Sequence, residues 1–334
     1  MKQLAADRAK LPTLLETLYA PIRKELDDVE KLLRRELRSD HAFVDRLARH
    51  GFHLGGKRLR PALVLLSGKM LGTAGEDHLV LAAAMEMIHT ATLIHDDVLD
   101  EATLRRHLET INSRWDNEAS VLLGDYLFAR SICLISRLDD PFAYRAISEA
   151  ARLMCEGELR QVGSRGDYEL SEDEYLDIIA DKTAALMSCC CRLGAYYAGG
   201  DDEACEALAR CGHYLGVAFQ IADDLLDLTG DERAAGKSLG TDLVKQKPTL
   251  PLIRLLEGCS EERRAELVEL LSRSGNHRAP ALRPYFDESD AVSYSRETAV
   301  RFARQAGREL AALPSSQARD MLLGLTEFVV TRNR

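Results

Sequence analysis

Two aspartate clusters mark the chemistry in this chain. Asp96, Asp97 and Asp100 lie in LIHDDVLD (93–100), and Asp223, Asp224 and Asp227 lie in QIADDLLD (220–227). Both follow one pattern: apolar, a pair of aspartates, two apolar residues, a third aspartate. On a helix, positions i and i+4 share a face, so Asp96 and Asp100 point the same way with Asp97 beside them. Carboxylates this close need a compensating cation. Magnesium suits them, because it binds through a few carboxylates and completes its shell with water and phosphate oxygens. One such motif alone is ordinary polarity at a helix end. A matched pair on helices facing each other across a cavity would instead cradle several metal ions and a diphosphate.

Cations stand beside both clusters. Gly55-Gly56-Lys57-Arg58-Leu59-Arg60 concentrates three of them on a glycine-loosened loop whose backbone N–H groups suit phosphate. Arg105 and Arg106 follow the first cluster, and Lys237, Lys245 and Lys247 follow the second. Arginine forks match phosphate oxygens, whereas lysine supplies a point charge. Placed next to two acidic clusters, these groups read as anion sites and not as a solvated surface.

The elements that position these residues read as helices throughout. Apolar residues recur at helical period, and Gly and Pro fall between segments. The pattern predicts helices over 11–38, 40–50, 61–71 and 76–100, with 53–60 as a loop and Pro61 at a helix start. Further helices are expected over 113–138 with a break near Asn117, over 144–163 after the Asp139-Asp140-Pro141 start signal, and over 172–197 behind a capping box at Ser171. One or two helices span 201–228, and the polar, glycine-containing stretch 229–247 reads as a mobile loop. Helices over 249–256, 261–272, 290–313 and 316–330 complete an all-α chain with no linker, so residues 1–334 are expected to form a single domain.

Composition narrows the class. Charged residues make up 29% and hydrophobic ones 46%, a globular mix, and the formal net charge of -10 argues against general nucleic-acid binding. The start MKQLAADRAKLP lacks the apolar core of a secretory signal, and no apolar run reaches the roughly 18 residues a membrane helix needs. A cytoplasmic protein is expected. The eight cysteines show no zinc spacing and read as small apolar packers in a reducing compartment.

The motifs GGKRLRP (55–61), EMIHTATLIHDDVLDEATLRR (86–106), GDYLFAR (124–130), FQIADDLLDLTGD (219–231), GKSLGTDL (236–243) and KPTLP (247–251) resemble, in order, those of the trans-isoprenyl diphosphate (polyprenyl) synthases. The resemblance implies an all-α helical bundle around a deep central cavity, of the isoprenoid synthase type, usually assembled as a homodimer. The reaction it implies is head-to-tail condensation of an allylic diphosphate with isopentenyl diphosphate, dependent on about three magnesium ions per active site. Asp96, Asp97, Asp100, Asp223, Asp224 and Asp227 would hold the metal. Lys57, Arg60, His89 and Arg106 match the isopentenyl diphosphate site. Arg105, Lys182, Thr183 and Gln220 match the allylic diphosphate contacts, and Lys237 joins them. The sequence departs from the family at His107, where a glycine usually follows the paired arginines.

Product length is read from the residues before the first motif. Four and five positions upstream of Asp96 lie Thr92 and Ala91, where short-chain members carry a bulky aromatic floor. Both are small here, and Ile147, Ala150, Ala151 and Met154 are candidates for a deeper wall, so a long product of roughly six to ten isoprene units is expected. Such a lipid product would bring the enzyme near membranes, with no transmembrane segment of its own. A short-chain farnesyl or geranylgeranyl diphosphate synthase and a noncatalytic prenyl-binding partner subunit are the alternatives. Terpene cyclases and head-to-head condensing enzymes are disfavoured by the Lys57, Arg60 and His89 set, and a metal phosphohydrolase lacks a further ligand set.

Overall fold

The computed structural model describes residues 14–53, 56–230, 240–272 and 278–331. Among these residues the chain is helical apart from one hairpin, as the sequence pattern predicts. A short α1 (Leu14–Leu18) and a 3-10 turn (Ala20–Ile22) lead into α2 (Arg23–Glu36) and α3 (Ala42–His53). Helices α4 (Leu59–Leu71) and α5 (Glu76–Leu99) follow, then strands β1 (Leu104–Arg105) and β2 (Leu108–Glu109). The short α6 (Ile111–Arg114) precedes α7 (Asn117–Ile135), α8 (Pro141–Gly163) and α9 (Glu172–Ile179). A π-helical turn (Ala180–Ala184) joins α9 to α10 (Ala185–Tyr197), and α11 (Asp202–Thr229) is the next long helix. The chain closes with α12 (Thr241–Val244), α13 (Leu250–Glu257), α14 (Glu261–Ser272), α15 (Arg278–Asp287), α16 (Ala291–Ala311) and α17 (Gln317–Thr331).

The helices start where side chains can satisfy their first N–H groups. Asp116, Asp140, Ser171 and Asp201 accept from the backbone N–H of Ala119, Phe142, Glu174 and Ala204 respectively. Pro141 sits at the first helical position, and Glu174 completes the capping box with Ser171. The apolar residues of α4 and α5 run around the whole circumference, which suits helices enclosed on all sides. Leu81 to Ile88 are accordingly all buried, Glu86 among them.

α5 packs along α7, α4 and α2, while α11 packs along α16 and α10. α10 touches α4, α5 and α11, and so spaces the two aspartate-bearing helices across a gap. Gly194 of α10 and Gly212 of α11 make these crossings possible, because a Cβ on either would collide with the Val64 or Met187 carbonyl oxygen.

Three sequence expectations are modified. α4 begins at Leu59, two residues before Pro61, because Arg58 takes a left-handed conformation at its N-cap. The expected helix over 172–197 is interrupted by the π turn. In the stretch read as a mobile loop, 231–239 lie outside the described residues, while Thr241–Val244 form a helical turn with Leu243 and Lys247 buried. α15 was not expected, since Pro280 and Pro284 break its pattern.

Candidate active site

Both aspartate clusters sit at the C-terminal ends of their helices and face shared space. Two adjoining cavities of about 520 Å³ and about 510 Å³ lie between α5 and α11. Arg60, His89, Leu93, Asp100, Arg105, Phe219, Asp223 and Thr241 line both. The first cavity adds Lys57, Arg58 and Arg106 and is the cationic one. The second adds Asp96, Asp224, Asp227, Glu158 and Lys182, and carries the carboxylates.

On α5 the three aspartates divide their work. Asp96 faces the second cavity, where burial, Glu158 and Asp100 push its carboxyl up to about 6 against the pull of Lys182 and Arg105. Asp100 caps the helix, and its Oδ1 accepts from Lys247 Nζ at 2.8 Å; against the cost of burial, this pairing holds its carboxyl below the usual range. Asp97 is 1% exposed and is turned to Arg105, whose Nε donates to both carboxylate oxygens at 2.9 and 3.1 Å while Nη2 lies 2.8 Å from Oδ1. Asp97, expected as a metal carboxylate, lines the first cavity and is here paired with an arginine. One position beyond Asp96 is 100° around the helix, which is enough to face the hairpin and not the second cavity.

That hairpin carries the paired arginines. Leu104 pairs with Glu109 and Arg105 with Leu108, leaving Arg106 and His107 as a two-residue turn. Their φ angles of 52° and 65° place both in the left-handed region, as a type I′ turn requires. This is the physical reason a glycine suits position 107. The histidine keeps both cations but holds a conformation that L residues adopt at a cost. Gly56 packs directly against the Arg106 guanidinium, where a Cβ would overlap it.

On α11, Asp224 is 7% exposed and accepts from Tyr175 Oη at 2.6 Å and from Gln220 Nε2 at 2.8 Å. Burial and the charge of Asp242 push its carboxyl up to about 7, with Asp223 adding to the effect. Gln220 accepts in turn from Thr183 Oγ1 at 2.7 Å, so Thr183, Gln220 and Asp224 form one relay. Asp227 accepts from Thr241 Oγ1 and from the Asp242 N–H, both at 3.0 Å, which ties the start of α12 to α11.

Lys182 projects from the π turn. Its Nζ donates to Gln161 Oε1 at 2.7 Å and forms an ion pair with Glu158. The extra residue of a π turn shifts side-chain facing, and such turns recur at functional positions. Gly157 of α8 and Gly216 of α11 hold it from two sides: a Cβ on the first would collide with the Lys182 backbone, and on the second with Ala184.

In the cationic cavity Arg60 is 8% exposed, and its Nε has no hydrogen-bond partner among the described residues. His89 is held well below the usual imidazole range by burial, then by Arg60, Arg105, Arg106 and Arg58. It is therefore a neutral imidazole among guanidinium groups. Lys57 lies 5.1 Å from the centre of the Phe328 ring of α17.

Lys237 lies outside the described residues. The other predicted residues line the cavities, except Lys245, which pairs with exposed Glu101, and Ala91, which is packed in the core with Ile147, Ala150 and Ala151. Thr92 and Met154 form the cavity wall. Tyr175, Glu158, Gln161 and Asp242 are site residues that sequence reasoning passed over. The nearest signals were the EGELRQ turn of α8 (156–161) and the aspartate in GTDL (240–243).

Among the described residues, no three His, Cys, Asp or Glu side chains already form a metal-holding group. The donor chemistry nonetheless fits a hard divalent cation. The Asp96 and Asp224 carboxyls are pushed up by burial and neighbouring acids, and Asp100, Asp223 and Asp227 line the same cavity.

The profile of the polyprenyl synthetase family matches residues 41–283. The chain is 34% identical to the octaprenyl diphosphate synthase of Escherichia coli (strain K12), over 96% of this chain and 99% of that one. It is 33% identical to heptaprenyl diphosphate synthase component 2 of Bacillus subtilis (strain 168), over 94% and 90%. The crystal structure of a polyprenyl synthase from Caulobacter crescentus CB15, complexed with calcium and isoprenyl diphosphate, superposes with a TM-score of 0.91 at 36% identity, covering 96% of this chain and 98% of that one.

Proposed function

Because the chain belongs to the polyprenyl synthetase family and is a prenyltransferase, we propose that it is a long-chain all-trans polyprenyl diphosphate synthase. It would extend an allylic diphosphate of farnesyl or geranylgeranyl type with isopentenyl diphosphate, and residues 1–334 would form one synthase domain. The observation that carries this reading is the pairing of an acidic cavity with a cationic one across a shared wall, with buried Arg60 left partly unsatisfied between them. Two diphosphate sites that meet are what a condensation needs, whereas a cyclisation needs one.

In the cationic cavity Lys57, Arg60 and Arg106 bind the isopentenyl diphosphate, and neutral His89 can donate or accept without adding charge. In the acidic cavity Arg105, Lys182 and Lys247 orient the allylic diphosphate, with Lys237 joining them from outside the described residues. Thr183 and Gln220 set the carboxylate of Asp224. Asp96, Asp100, Asp223, Asp224 and Asp227 would hold magnesium, about three ions in all, which neutralises diphosphate as a leaving group. Asp97 serves by fixing Arg105. The allylic C–O bond ionises, the isopentenyl double bond attacks the cation, and the proton lost from the new carbocation passes to the departing diphosphate. Apolar Leu93, Phe219 and Met154 exclude water from the cation.

The test is incubation with farnesyl diphosphate, labelled isopentenyl diphosphate and magnesium, followed by chromatography of the dephosphorylated alcohols. Label in alcohols of roughly six to ten units supports the reading, whose basis is the small Thr92 on the cavity wall. Label only at three or four units makes it a short-chain synthase, and phosphate release without extension overturns it.

A second copy of the chain completes this proposal. Val121 and Leu122 on α7 are 44% and 60% exposed, and Leu159 on α8 is 71% exposed, at the rim of the second cavity. Apolar side chains of this size on neighbouring helices suit burial in a homodimer. A monomer by light scattering would remove that part. No helix among the described residues is long and apolar enough to cross a membrane, which is compatible with the cytoplasmic location we assign.

A further inference from the structure

Lys57, Arg58 and Arg60 all line the cationic cavity, but the Arg58 guanidinium is already paired with carboxylates of the protein. Its Nε lies 2.5 Å from Glu30 Oε1 of α2, and its Nη1 lies 2.6 Å from Glu86 Oε1 of α5. Its guanidinium also stacks 4.6 Å from the centre of the Phe52 ring of α3. Three helices therefore converge on one side chain, which is 15% exposed. The backbone of Arg58 is left-handed, with φ of 51°, and its carbonyl accepts the first helical bond of α4 from the Ala62 N–H at 3.0 Å.

A non-glycine residue persists in that region only where its surroundings over-determine it. Here the surroundings are two carboxylates and a ring. The left-handed turn at Arg58 redirects the chain, so that Lys57 on one side and Arg60 on the other line the same cavity. Were Arg58 to relax to the right-handed region, Lys57 and Arg60 could not both keep their aim in the cationic cavity; of this segment only Arg60 also lines the acidic cavity, whose aspartates, Lys182, Thr183 and Gln220 sit on α5, the π turn and α11 and would not move. Glu30 itself lines neither cavity.

We infer that Arg58, held by Glu30 and Glu86, is a positioning residue for the isopentenyl diphosphate site. This rests on the condensing activity proposed above. It predicts an effect confined to one of the two substrates, which a loss of general stability would not produce.

The decisive variant is Glu30→Gln, which loosens the holder and leaves every cation in place. We expect KM for isopentenyl diphosphate to rise about tenfold, with KM for farnesyl diphosphate and kcat within about twofold of wild type. If Arg58 were a direct ligand, freeing it would lower KM for isopentenyl diphosphate, and that result would overturn the inference. An equal rise in both KM values, or no change in either, would do the same. Arg58→Met combined with Glu86→Gln removes the buried pair together and leaves only Glu30, whose side chain is 30% exposed, without its arginine, so that no buried lone charge unfolds the protein. Its melting temperature should stay near wild type while KM for isopentenyl diphosphate rises about tenfold. A wild-type KM in this double variant would overturn the positioning role. Wild-type protein run in parallel keeps the two readings apart: absence of prenyl product there overturns the proposed activity, and with it the substrate named here.

Discussion

Single residues in this site are set by what surrounds them. The Asp96 and Asp224 carboxyls are pushed up to about 6 and about 7 by burial and neighbouring acids. Each therefore binds a proton in the folded protein over a range where the unfolded chain has released it. Their contribution is most favourable below the ordinary carboxylate range and is lost as pH rises through about 6 and then about 7. Metal-free protein should accordingly melt lower at pH 8 than at pH 5, by calorimetry, and Asp224→Asn should flatten the slope. A second outcome concerns His107. Relieving its left-handed strain by His107→Gly should stabilise the fold by about 1 kcal/mol in denaturant titration, without loss of either neighbouring cation. Both aspartate motifs and the departure at position 107 were legible in the sequence, because identity alone carries them. That Asp97 anchors Arg105 was not, because a single helical step decides which way it faces.

At the level of elements, caps were readable and the π turn was not. Asp140-Pro141 and Ser171 to Glu174 announce their helices through local chemistry that needs no tertiary partner. The π turn at Ala180–Ala184 depends on α8 and α11 closing on it at Gly157 and Gly216, residues far apart in sequence. Gly157→Ala places a methyl against the Lys182 backbone, and should cost about 1–3 kcal/mol of stability by overpacking. It should also raise KM for the allylic diphosphate more than KM for isopentenyl diphosphate. α15 escaped notice for the opposite reason: its prolines are a local signal that tertiary packing overrides.

Across the whole molecule, the fold class followed from periodicity, but the cavity between α5 and α11 did not. No local pattern states that α10 spaces two helices whose motifs lie far apart in the chain. The same distance matters for product length. Thr92 lies on the cavity wall, whereas Ala91 is packed in the core behind it. Thr92→Phe should therefore shorten the product, read by chromatography of the dephosphorylated alcohols. Ala91→Phe should instead cost stability of about 1–3 kcal/mol, because the ring has to displace core side chains.

The resting site pairs part of its charge internally, with Asp97 on Arg105, Asp100 on Lys247 and Glu158 on Lys182. Such a cleft behaves as an ion exchanger. A divalent cation arriving alone must evict a lysine from its carboxylate, and a diphosphate arriving alone must draw that lysine away and strand the acid. Brought in together, each takes the partner the other has released. Metal and allylic diphosphate should therefore bind weakly apart and strongly together, and the factor by which one tightens the other must be the same in both directions.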